Sequence, residues 1–299
     1  MPTPAKASSQ APLIPAGSAN EVALDAAALT DVGRLRDKNE DAYLIGTLQR
    51  SLVVHEATAS AQGWFAGEPA GTLLVVADGM GGQGGGEIAS RTAINAVSSY
   101  LLNALPWARP AAVTGEECEA ITDLRGQLST ALVESDATIK TAAAKTRTPR
   151  MGTTLTAALI IWPTVYVAHV GDTRCYLLRA GQLRRLTTDH NMAQKLSLAE
   201  DSERAIQLQS ILWNTLGASD ELPQPELSKL DLAVGDTLLL CSDGLNKHVS
   251  DEQLRGVLEG PGTSREHCRR LVELALEGGG TDNVTALVAR LEGNRTTPG

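Results

Sequence analysis

The sequence predicts an α+β fold with antiparallel strands covered by helices. Between residues 153 and 186, four short apolar segments follow one another with only turn residues between them, as in a meander. Two stretches with helical spacing of their apolar residues, 87–105 and 116–144, precede this series. Because a meander makes an antiparallel sheet, the pattern argues against the parallel sheet of a nucleotide-binding fold.

The composition limits the classes of protein that the chain can belong to. Its 299 residues allow one large domain or two small ones, and 42% hydrophobic residues can build a sizeable core. Aromatic residues make up only 3%, so the core must be aliphatic. This scarcity and the net charge of −9 argue against nucleic acid as the main partner.

The cysteines and the hydropathy pattern indicate a cytoplasmic protein. Cys118, Cys175, Cys241 and Cys268 are far apart and form no CxxC pair, so we expect small buried residues in a reducing compartment and no zinc cluster. No apolar run reaches 18 residues, so no membrane segment is expected. The N-terminus does not resemble a signal peptide.

The first part of the chain is predicted to contain little regular structure. Residues 1–20 are rich in Pro, Ala and Ser without periodicity, which predicts a disordered tail. A short strand-like segment follows, and then a turn at Gly33 beside the charged residues 34–41. Within residues 46–72, we expect a strand at 51–55 and an exposed loop at the Gly- and Pro-rich end.

An apolar run at residues 73–77 ends in Asp78, and six glycines follow within residues 79–86. The run is short, β-branched and bounded by turn residues, which predicts a buried strand. The glycines allow the backbone to turn sharply and to approach a small ligand closely. A carboxylate in this position suits a hard cation, although a plain hairpin turn fits this stretch alone equally well.

The remaining elements follow from periodicity and turn residues. The helix at 87–105 should end near Pro106, and it should cover a sheet together with the helix at 116–144. Residues 190–220 are polar and weakly periodic, which predicts a mobile helical excursion. The other predicted elements are strands at 153–161, 165–170, 174–179, 182–186, 226–231, 236–242 and 283–291, and helices at 250–259 and 264–277. We expect one domain over residues 21–292 and a tail at 293–299.

Carboxylates recur at the ends of the predicted strands, beside Gly or Ser: Asp78, Asp172, Asp243 and Asp282, with the adjacent pair Glu40 and Asp41 after a polar turn. If they meet, two unit charges about 4 Å apart repel by roughly 4 kcal/mol at an effective dielectric near 20. Such a cluster needs cations or raised pKa values. Few basic residues are near in sequence, so Mg²⁺ or Mn²⁺ is the better fit.

Six segments, taken in order, resemble the metal-dependent Ser/Thr protein phosphatases of the PPM, or type 2C, family. The resemblance runs from about residue 23 to residue 291, and GMGG after the first aspartate looks like the bacterial branch. The segments are TDVGRLRDKNEDAYL, VVADGMGGQGGGEIAS, MGTTLTAALI, VAHVGDTRCYLLRAGQLRRLTTDHN, LLLCSDGL and TDNVTALV.

The resemblance implies a four-layer α-β-β-α sandwich of two antiparallel sheets flanked by helices. It also implies hydrolysis of phosphoserine and phosphothreonine in proteins by a hydroxide that bridges two Mn²⁺ or Mg²⁺ ions. The implied partners are phosphorylated proteins made by a Ser/Thr kinase, and we expect a monomer.

The resemblance also implies ligand roles. Asp78 corresponds to the carboxylate that bridges the two metals, and Gly79 offers its carbonyl oxygen to a metal. Glu40 corresponds to a ligand of one metal. Asp243 and Asp282 correspond to ligands of the other.

Three further residues have implied roles near these ligands. Asp41 corresponds to an acid that orients metal-bound water. Arg36 corresponds to the residue that grips the substrate phosphate, the alternative being a surface ion pair with Glu40. Asp172 corresponds to a ligand of a third, weaker metal, shared with Asp243.

The chain departs from the family pattern at two positions. Some members carry a histidine, proposed as a general acid, where this chain has Met80, whose thioether cannot donate a proton. The nearest candidates in sequence are His169, expected to be packed within a strand, and His190, expected to be structural. Residues 190–220 correspond to a flap beside the active site, and Asn214 stands there where an arginine is often found.

Two other functions remain open from the sequence. A catalytically silent family member would act as a regulatory or binding module, and loss of a metal ligand would mark it. A phosphate-binding glycine-loop protein, such as a nucleotide-dependent kinase, would carry GxxxxGK[ST]. The segment GMGGQGGGE lacks that pattern, and no lysine follows its glycines.

Overall fold

The structure is a computed structural model that describes residues 22–54, 63–81, 85–104, 124–148, 150–199 and 202–293. The predicted tail at 1–20 lies outside these ranges. So do residues 294–299 and the first part of the helix predicted from residue 116. Residue 293, which was assigned to the tail, ends the last strand.

The described residues form the predicted strands and helices in the predicted order, together with a short strand at 152–153 and a short helix at 243–246 that were not predicted. The strands are β1 Val22–Asp31, β2 Asp41–Val54, β3 Gly63–Met80, β4 Gly152–Thr153, β5 Leu155–Ile161, β6 Thr164–Val170, β7 Arg174–Arg179, β8 Gln182–Arg185, β9 Glu226–Asp231, β10 Thr237–Cys241 and β11 Val284–Gly293. The helices are α1 Gly85–Ala104, α2 Leu124–Thr146, α3 Met192–Lys195, α4 Glu203–Leu208, α5 Asp243–Asn246, α6 Asp251–Glu259 and α7 Ser264–Glu277.

Two antiparallel sheets stack on each other and are flanked by helices, which confirms the four-layer sandwich. One sheet has the strand order β1-β11-β10-β7-β8. The other has the order β2-β3-β5-β6-β9, and β4 pairs with the end of β3. Helices α1 and α2 pack on the second sheet, while α6 and α7 pack on the first. No helix among the described residues is long and apolar enough to cross a membrane.

The apolar run in β3 is continuous because both of its faces are buried. Leu73 and Val75 pack with the residues of α1 and α2. Leu74 and Val76 point the other way and pack between the two sheets. The run therefore lies in the middle of the sandwich and carries Asp78 to the edge of the core.

The predicted meander is wrong, although the strands are antiparallel as expected. Strands β5 and β6 form one hairpin and β7 and β8 another, but the two hairpins lie in different sheets. The chain crosses between the sheets at Gly171, whose φ of 108 favours glycine. A Cβ there would lie 2.5 Å from the Cβ of Thr154. The crossing places Asp172 between the ends of the two sheets.

The predicted loop before residue 72 is also wrong. Residues 63–71 belong to β3, which pairs with a β2 much longer than the strand expected at 51–55. The pairing register shifts between Leu48 and Gln49, so the long hairpin tolerates the glycines and the proline. Strand β3 also continues beyond Asp78 to Met80, because it pairs there with β4.

Residues 190–220 contain the predicted helical excursion as two short helices. Asn191 caps α3 by accepting a hydrogen bond from the backbone of Gln194, and Ser202 caps α4 in the same way through Ala205. A backbone bridge between Asn191 and Leu212 closes the segment on itself, and a second bridge joins Leu216 to Thr153 in β4.

Candidate metal centre

A cleft of about 780 Å³ opens where strand ends from both sheets meet. Its wall brings together most of the residues predicted from the sequence: Arg36, Glu40, Asp78, Gly79, Asp172, Asp243 and Asp282. Asp41 lies directly beneath, because β2 and β3 pair in a register that places it opposite Asp78. Residues far apart in the chain therefore converge at one edge of the sandwich.

Backbone contacts on both sides fix the position of Asp78. Its N–H donates to the hydroxyl of Thr154 at 3.1 Å, and its carbonyl oxygen accepts from the Thr154 N–H at 2.9 Å and the Thr153 hydroxyl at 2.8 Å. Burial raises the pKa of Asp78 well above its usual range, and the neighbouring carboxylates of Asp41 and Asp243 raise it further.

Asp41 is buried and uses only one of its two carboxylate oxygens. Oδ2 accepts hydrogen bonds from the hydroxyls of Ser242 and Thr285, each at 2.7 Å. Oδ1 is buried and has no hydrogen-bond partner among the described residues. Burial raises the pKa of Asp41 to about 7, although the two hydroxyl groups favour the charged form. A buried oxygen without a partner points to a missing ligand.

The chain packs very closely where Glu40 meets the start of α1. A Cβ on Gly79 would lie 2.1 Å from the carbonyl oxygen of Gly86 and 2.6 Å from that of Glu40. Burial raises the pKa of Glu40, while a hydrogen bond from the Gly86 N–H favours its charged form. Only glycine fits at positions 79 and 86, so the glycine-rich stretch brings backbone and carboxylate oxygens together.

Asp172 and Asp243 form the opposite part of the wall. Burial, followed by the charge of Asp243, raises the pKa of Asp172 to about 8. Burial also raises the pKa of Asp243, although the ammonium of Lys247 favours its charged form. Oδ1 of Asp243 is a second buried oxygen without a partner among the described residues.

Among the carboxylates of the centre, Asp282 has the largest number of basic neighbours. Arg36 donates to both of its oxygens at 2.9 Å, and the ammonium of Lys247 lies 3.3 Å from Oδ2. Burial alone would raise the pKa of Asp282, but Lys247, Arg36 and the N–H of Asn283 lower it. Arg36 therefore makes an ion pair, but with Asp282 and not with Glu40.

The donor set fits hard divalent cations. Six carboxylates converge here, and among the described residues that line the cleft only Arg36, Lys38 and Lys247 carry positive charge. These residues offer carboxylate and backbone oxygens, which are the ligands that Mg²⁺ and Mn²⁺ prefer. They offer no thiolate and no imidazole. The partnerless oxygens of Asp41 and Asp243 and the raised pKa values are consistent with cations between these groups.

A second cluster with metal-ligand chemistry, formed by His169, His190 and Glu226, does not suit a metal. The Nδ1 of His169 bonds to the hydroxyl of Thr156, and its Nε2 bonds to the carbonyl oxygen of Thr188, so it has no free nitrogen lone pair. Burial lowers the pKa of His169 to about 3 and that of His190 to about 4. Both rings are therefore neutral, and Nδ1 of His190 is occupied by hydrogen bonds from the Gly171 N–H at 3.1 Å and the Asn214 amide at 2.9 Å.

The departures from the family pattern also have structural positions. Met80 lines the cleft, and no histidine is among the described residues that do. Asn214 is buried, and its side chain bonds to His190 and to the backbone of Gln224, so it is not available to bind a substrate. Its neighbour Trp213 lines the cleft instead.

Sequence reasoning missed residues that support or enter the centre. Asn283 accepts from the N–H of Glu40 and donates to the carbonyl oxygens of Val32 and Lys38, so it fixes the loop before β2. Lys247 lies one helical turn after Asp243, a spacing that was visible in the sequence. The hydroxyl donors to Asp41 carried no local signal, since they come from distant parts of the chain, Ser242 at the start of α5 and Thr285 in β11.

The chain matches known proteins over most of its length. The model of the family described as "Protein phosphatase 2C" matches residues 59–282. The chain is 33% identical over 270 residues to the serine/threonine protein phosphatase PstP of Mycobacterium tuberculosis, covering 88% of this chain and 44% of that protein. It thus spans less than half the length of that relative.

Two further matches cover almost the full length of their partners. The serine/threonine phosphatase stp of Listeria monocytogenes is 31% identical, with 87% of this chain and 92% of that protein covered. A crystal structure of the catalytic domain of PstP in complex with two manganese ions superposes with a TM-score of 0.67 at 31% identity, covering 91% of this chain and 99% of that one. The chain therefore belongs to the protein phosphatase 2C family, in its bacterial PPM branch.

Proposed function

We propose that the protein is a metal-dependent phosphatase that hydrolyses phosphoserine and phosphothreonine in proteins. The observation that carries this proposal is the convergence of five carboxylates in the wall of one cleft, with the carboxylate of Asp41 beneath them, in a chain whose relatives are Ser/Thr phosphatases. All the carboxylate ligands expected from the family are present in this chain. A catalytically silent binding module is therefore the weaker reading, although it remains the alternative to test.

Two Mn²⁺ or Mg²⁺ ions would bind in this cleft. Asp78 would contact both ions, Glu40 and the carbonyl oxygen of Gly79 would bind one, and Asp243 with Asp282 would bind the other. The manganese ions in the PstP structure support this assignment. When bound, such ions polarise the phosphate and lower the pKa of water.

The carboxylate of Asp172, with that of Asp243, would hold a third ion more weakly. Its position at the crossing between the sheets supports this role, because it lines the cleft close enough to Asp243 for the charge of that residue to raise its pKa.

Two further residues would act on water and on the substrate. Asp41 would orient a water molecule through its free Oδ1, since Oδ2 is occupied by two hydroxyl groups. Arg36 would bind the substrate phosphate with its planar fork, which its 55% exposed side chain can present to solvent. Met80 cannot protonate the leaving group, so the proton would come from water.

The substrates would be proteins phosphorylated by a Ser/Thr kinase, and the protein would act as a monomer in the cytoplasm. The size of the cleft, about 780 Å³, and the contribution of residues 210–219 to its wall support a peptide substrate. The buried free thiols of Cys175, Cys241 and Cys268 support a reducing compartment.

The test is hydrolysis of an aryl phosphate and of a phosphothreonine peptide, with Mn²⁺ or with chelator. We expect turnover with Mn²⁺ and none with chelator. Asp78→Asn should lower kcat by more than about 100-fold, beyond the usual effect of residues that only support a ligand. Asp37→Asn, an equal charge change at an exposed aspartate, is the matched control.

Three results would contradict the proposal. Turnover that survives chelator would exclude the metal mechanism. Near-normal kcat in Asp78→Asn would remove this residue from the centre. Phosphopeptide binding without hydrolysis under Mn²⁺ at any pH would favour the silent module.

A further inference from the structure

We propose that Lys247 is an internal cation that competes with a divalent ion for Asp243 and Asp282, and that it weakens metal binding on that side of the centre. The inference rests on the proposed function, because it requires a divalent ion in the cleft. It assigns a role to a basic residue that enters the ligand cluster itself.

The position of Lys247 follows from the helix that begins at Asp243. Helix α5 starts with this aspartate, and Lys247 follows four residues later, so the two side chains lie on the same helix face. The ammonium is 2.5 Å from Oδ2 of Asp243 and 3.3 Å from Oδ2 of Asp282. One lysine thus bridges the two carboxylates expected to hold the same ion.

The carboxylates on the other side of the centre have no such partner. Among the described residues, no ion pair is formed by Glu40 or by Asp78, whereas Asp282 pairs with both Arg36 and Lys247. A cation that enters beside Asp243 and Asp282 must share or displace the ammonium, since like charges repel strongly at these distances. The two metal positions should therefore differ in affinity.

The structure gives the ammonium a route out of the cluster. The side chain of Lys247 is 40% exposed and lies in the cleft wall, so it can move to solvent when an ion binds. The cost of removing the lysine from the two carboxylates then reduces the net affinity for the ion. Over a range of free Mn²⁺ concentrations, the occupancy of the site at Asp243 and Asp282 would change while the site at Glu40 stays saturated.

The test is calorimetric titration of the full chain with Mn²⁺ alone, comparing wild type with Lys247→Met. We expect wild type to bind the first two Mn²⁺ ions with two different affinities, both tighter than that of the third ion beside Asp172. In the variant, the weaker of these two Kd values should fall by about tenfold or more. The repulsion between the ammonium and a divalent ion at this distance is larger than the free energy of a tenfold change in Kd. The metal-free variant should melt at a lower temperature, and Mn²⁺ should raise its Tm more than in wild type.

Two lysine variants provide the controls. Lys38→Met removes a lysine from the same cleft wall, but one without an ion pair among the described residues, so the weaker Kd should change by less than about threefold. Lys247→Arg keeps the charge and should stay closer to wild type than to Lys247→Met. Lys247→Gln is a second neutral variant for the case in which the methionine variant does not fold.

An unchanged or weaker Mn²⁺ affinity in Lys247→Met and Lys247→Gln would overturn the inference. If wild type binds Mn²⁺ and hydrolyses phosphopeptide while these variants titrate like wild type, only the role of Lys247 fails. If wild type neither binds Mn²⁺ nor hydrolyses phosphopeptide, the proposed function fails as well.

Discussion

Arg36 is an exposed residue whose guanidinium is oriented by a single carboxylate. Both of its hydrogen bonds go to Asp282, at 2.9 Å each, and they fix the planar fork at the rim of the cleft. An exposed ion pair of this kind adds little to the stability of the fold. The ion pair therefore orients the guanidinium at the rim of the cleft more than it stabilises the fold, which suits the proposed role of Arg36 in binding the substrate phosphate.

Replacing Arg36 should mainly affect substrate binding. We expect Arg36→Ala to raise KM for a phosphothreonine peptide by about tenfold, since a charge-assisted hydrogen bond contributes about 1.5–3 kcal/mol. The change in kcat should be smaller. Steady-state kinetics with saturating Mn²⁺ would measure both.

Arg34→Ala is the matched control for this experiment. Arg34 is also exposed and lies two residues away, but it donates to the carbonyl oxygen of Leu276 and does not line the cleft. Its KM should equal that of wild type. An unchanged KM in Arg36→Ala would remove Arg36 from the phosphate site.

The segment 190–220 is anchored to the rest of the molecule by buried polar contacts. Asn214 bonds to Nδ1 of His190 at 2.9 Å and to the backbone of Gln224 through both its donor and its acceptor. Three residues further on, the carboxylate of Asp136 in α2 accepts from the N–H of Gly217 at 2.7 Å. These contacts place Trp213 in the wall of the cleft.

Loss of the Asn214 side chain should loosen this segment. Asn214→Ala removes the side-chain partners of the N–H and the carbonyl oxygen of Gln224, so we expect a loss of stability of about 1–3 kcal/mol. The change should open residues 190–220 to protease, and limited proteolysis with mass mapping would locate the cuts. Asn103→Ala, on the exposed face of α1, is the control. If the two variants are cut at the same rate and positions, Asn214 does not anchor the segment.

The order of elements was predictable because most signals were local. The bounds predicted for β7, β9 and α7 agree with the structure, since turn residues and capping residues frame them. The assignment of strands to sheets was not predictable, because it depends on pairing between distant segments. A local hairpin pattern cannot tell whether β6 and β7 share a sheet or face each other across the core.

The candidate site was likewise predictable only in part. Carboxylates at strand ends were visible in the sequence, and the structure brings all of them to one cleft. The register that places Asp41 opposite Asp78 was not visible. Nor were the hydroxyl groups of Ser242 and Thr285, because Ser242 precedes α5 and Thr285 lies on β11, and both reach Asp41 only through the packing of the two sheets.

At the scale of the whole molecule, the sandwich brings negative charge from both sheets to one edge. In the metal-free protein, burial raises the pKa of Asp41 to about 7 and that of Asp172 to about 8. An unfolded chain ionises these groups near pH 3.9. The folded state therefore binds more protons than the unfolded state between about pH 4 and pH 8.

The stability of the metal-free protein should fall as pH rises through this range. The stabilisation from the protonated carboxyl groups is fully present below the unfolded pKa and is lost as pH rises through the folded values. We expect Tm in chelator to drop by several degrees between pH 5 and about pH 8.5, since about 1 kcal/mol shifts Tm by roughly 2–4 °C for chains of this size. Thermal melts at a series of pH values would measure the slope.

Mn²⁺ should remove this slope or reverse it, because cations bind the ionised carboxylates and their affinity rises as protons leave. Asp172→Asn should reduce the dependence of Tm on pH in chelator, because an amide does not titrate. The effect of Mn²⁺ on this dependence should then be smaller than in wild type. A Tm in chelator that rises from pH 5 to pH 8 would contradict the buried, protonated carboxylates. A slope that is the same with and without Mn²⁺ would mean that the ions bind away from these groups.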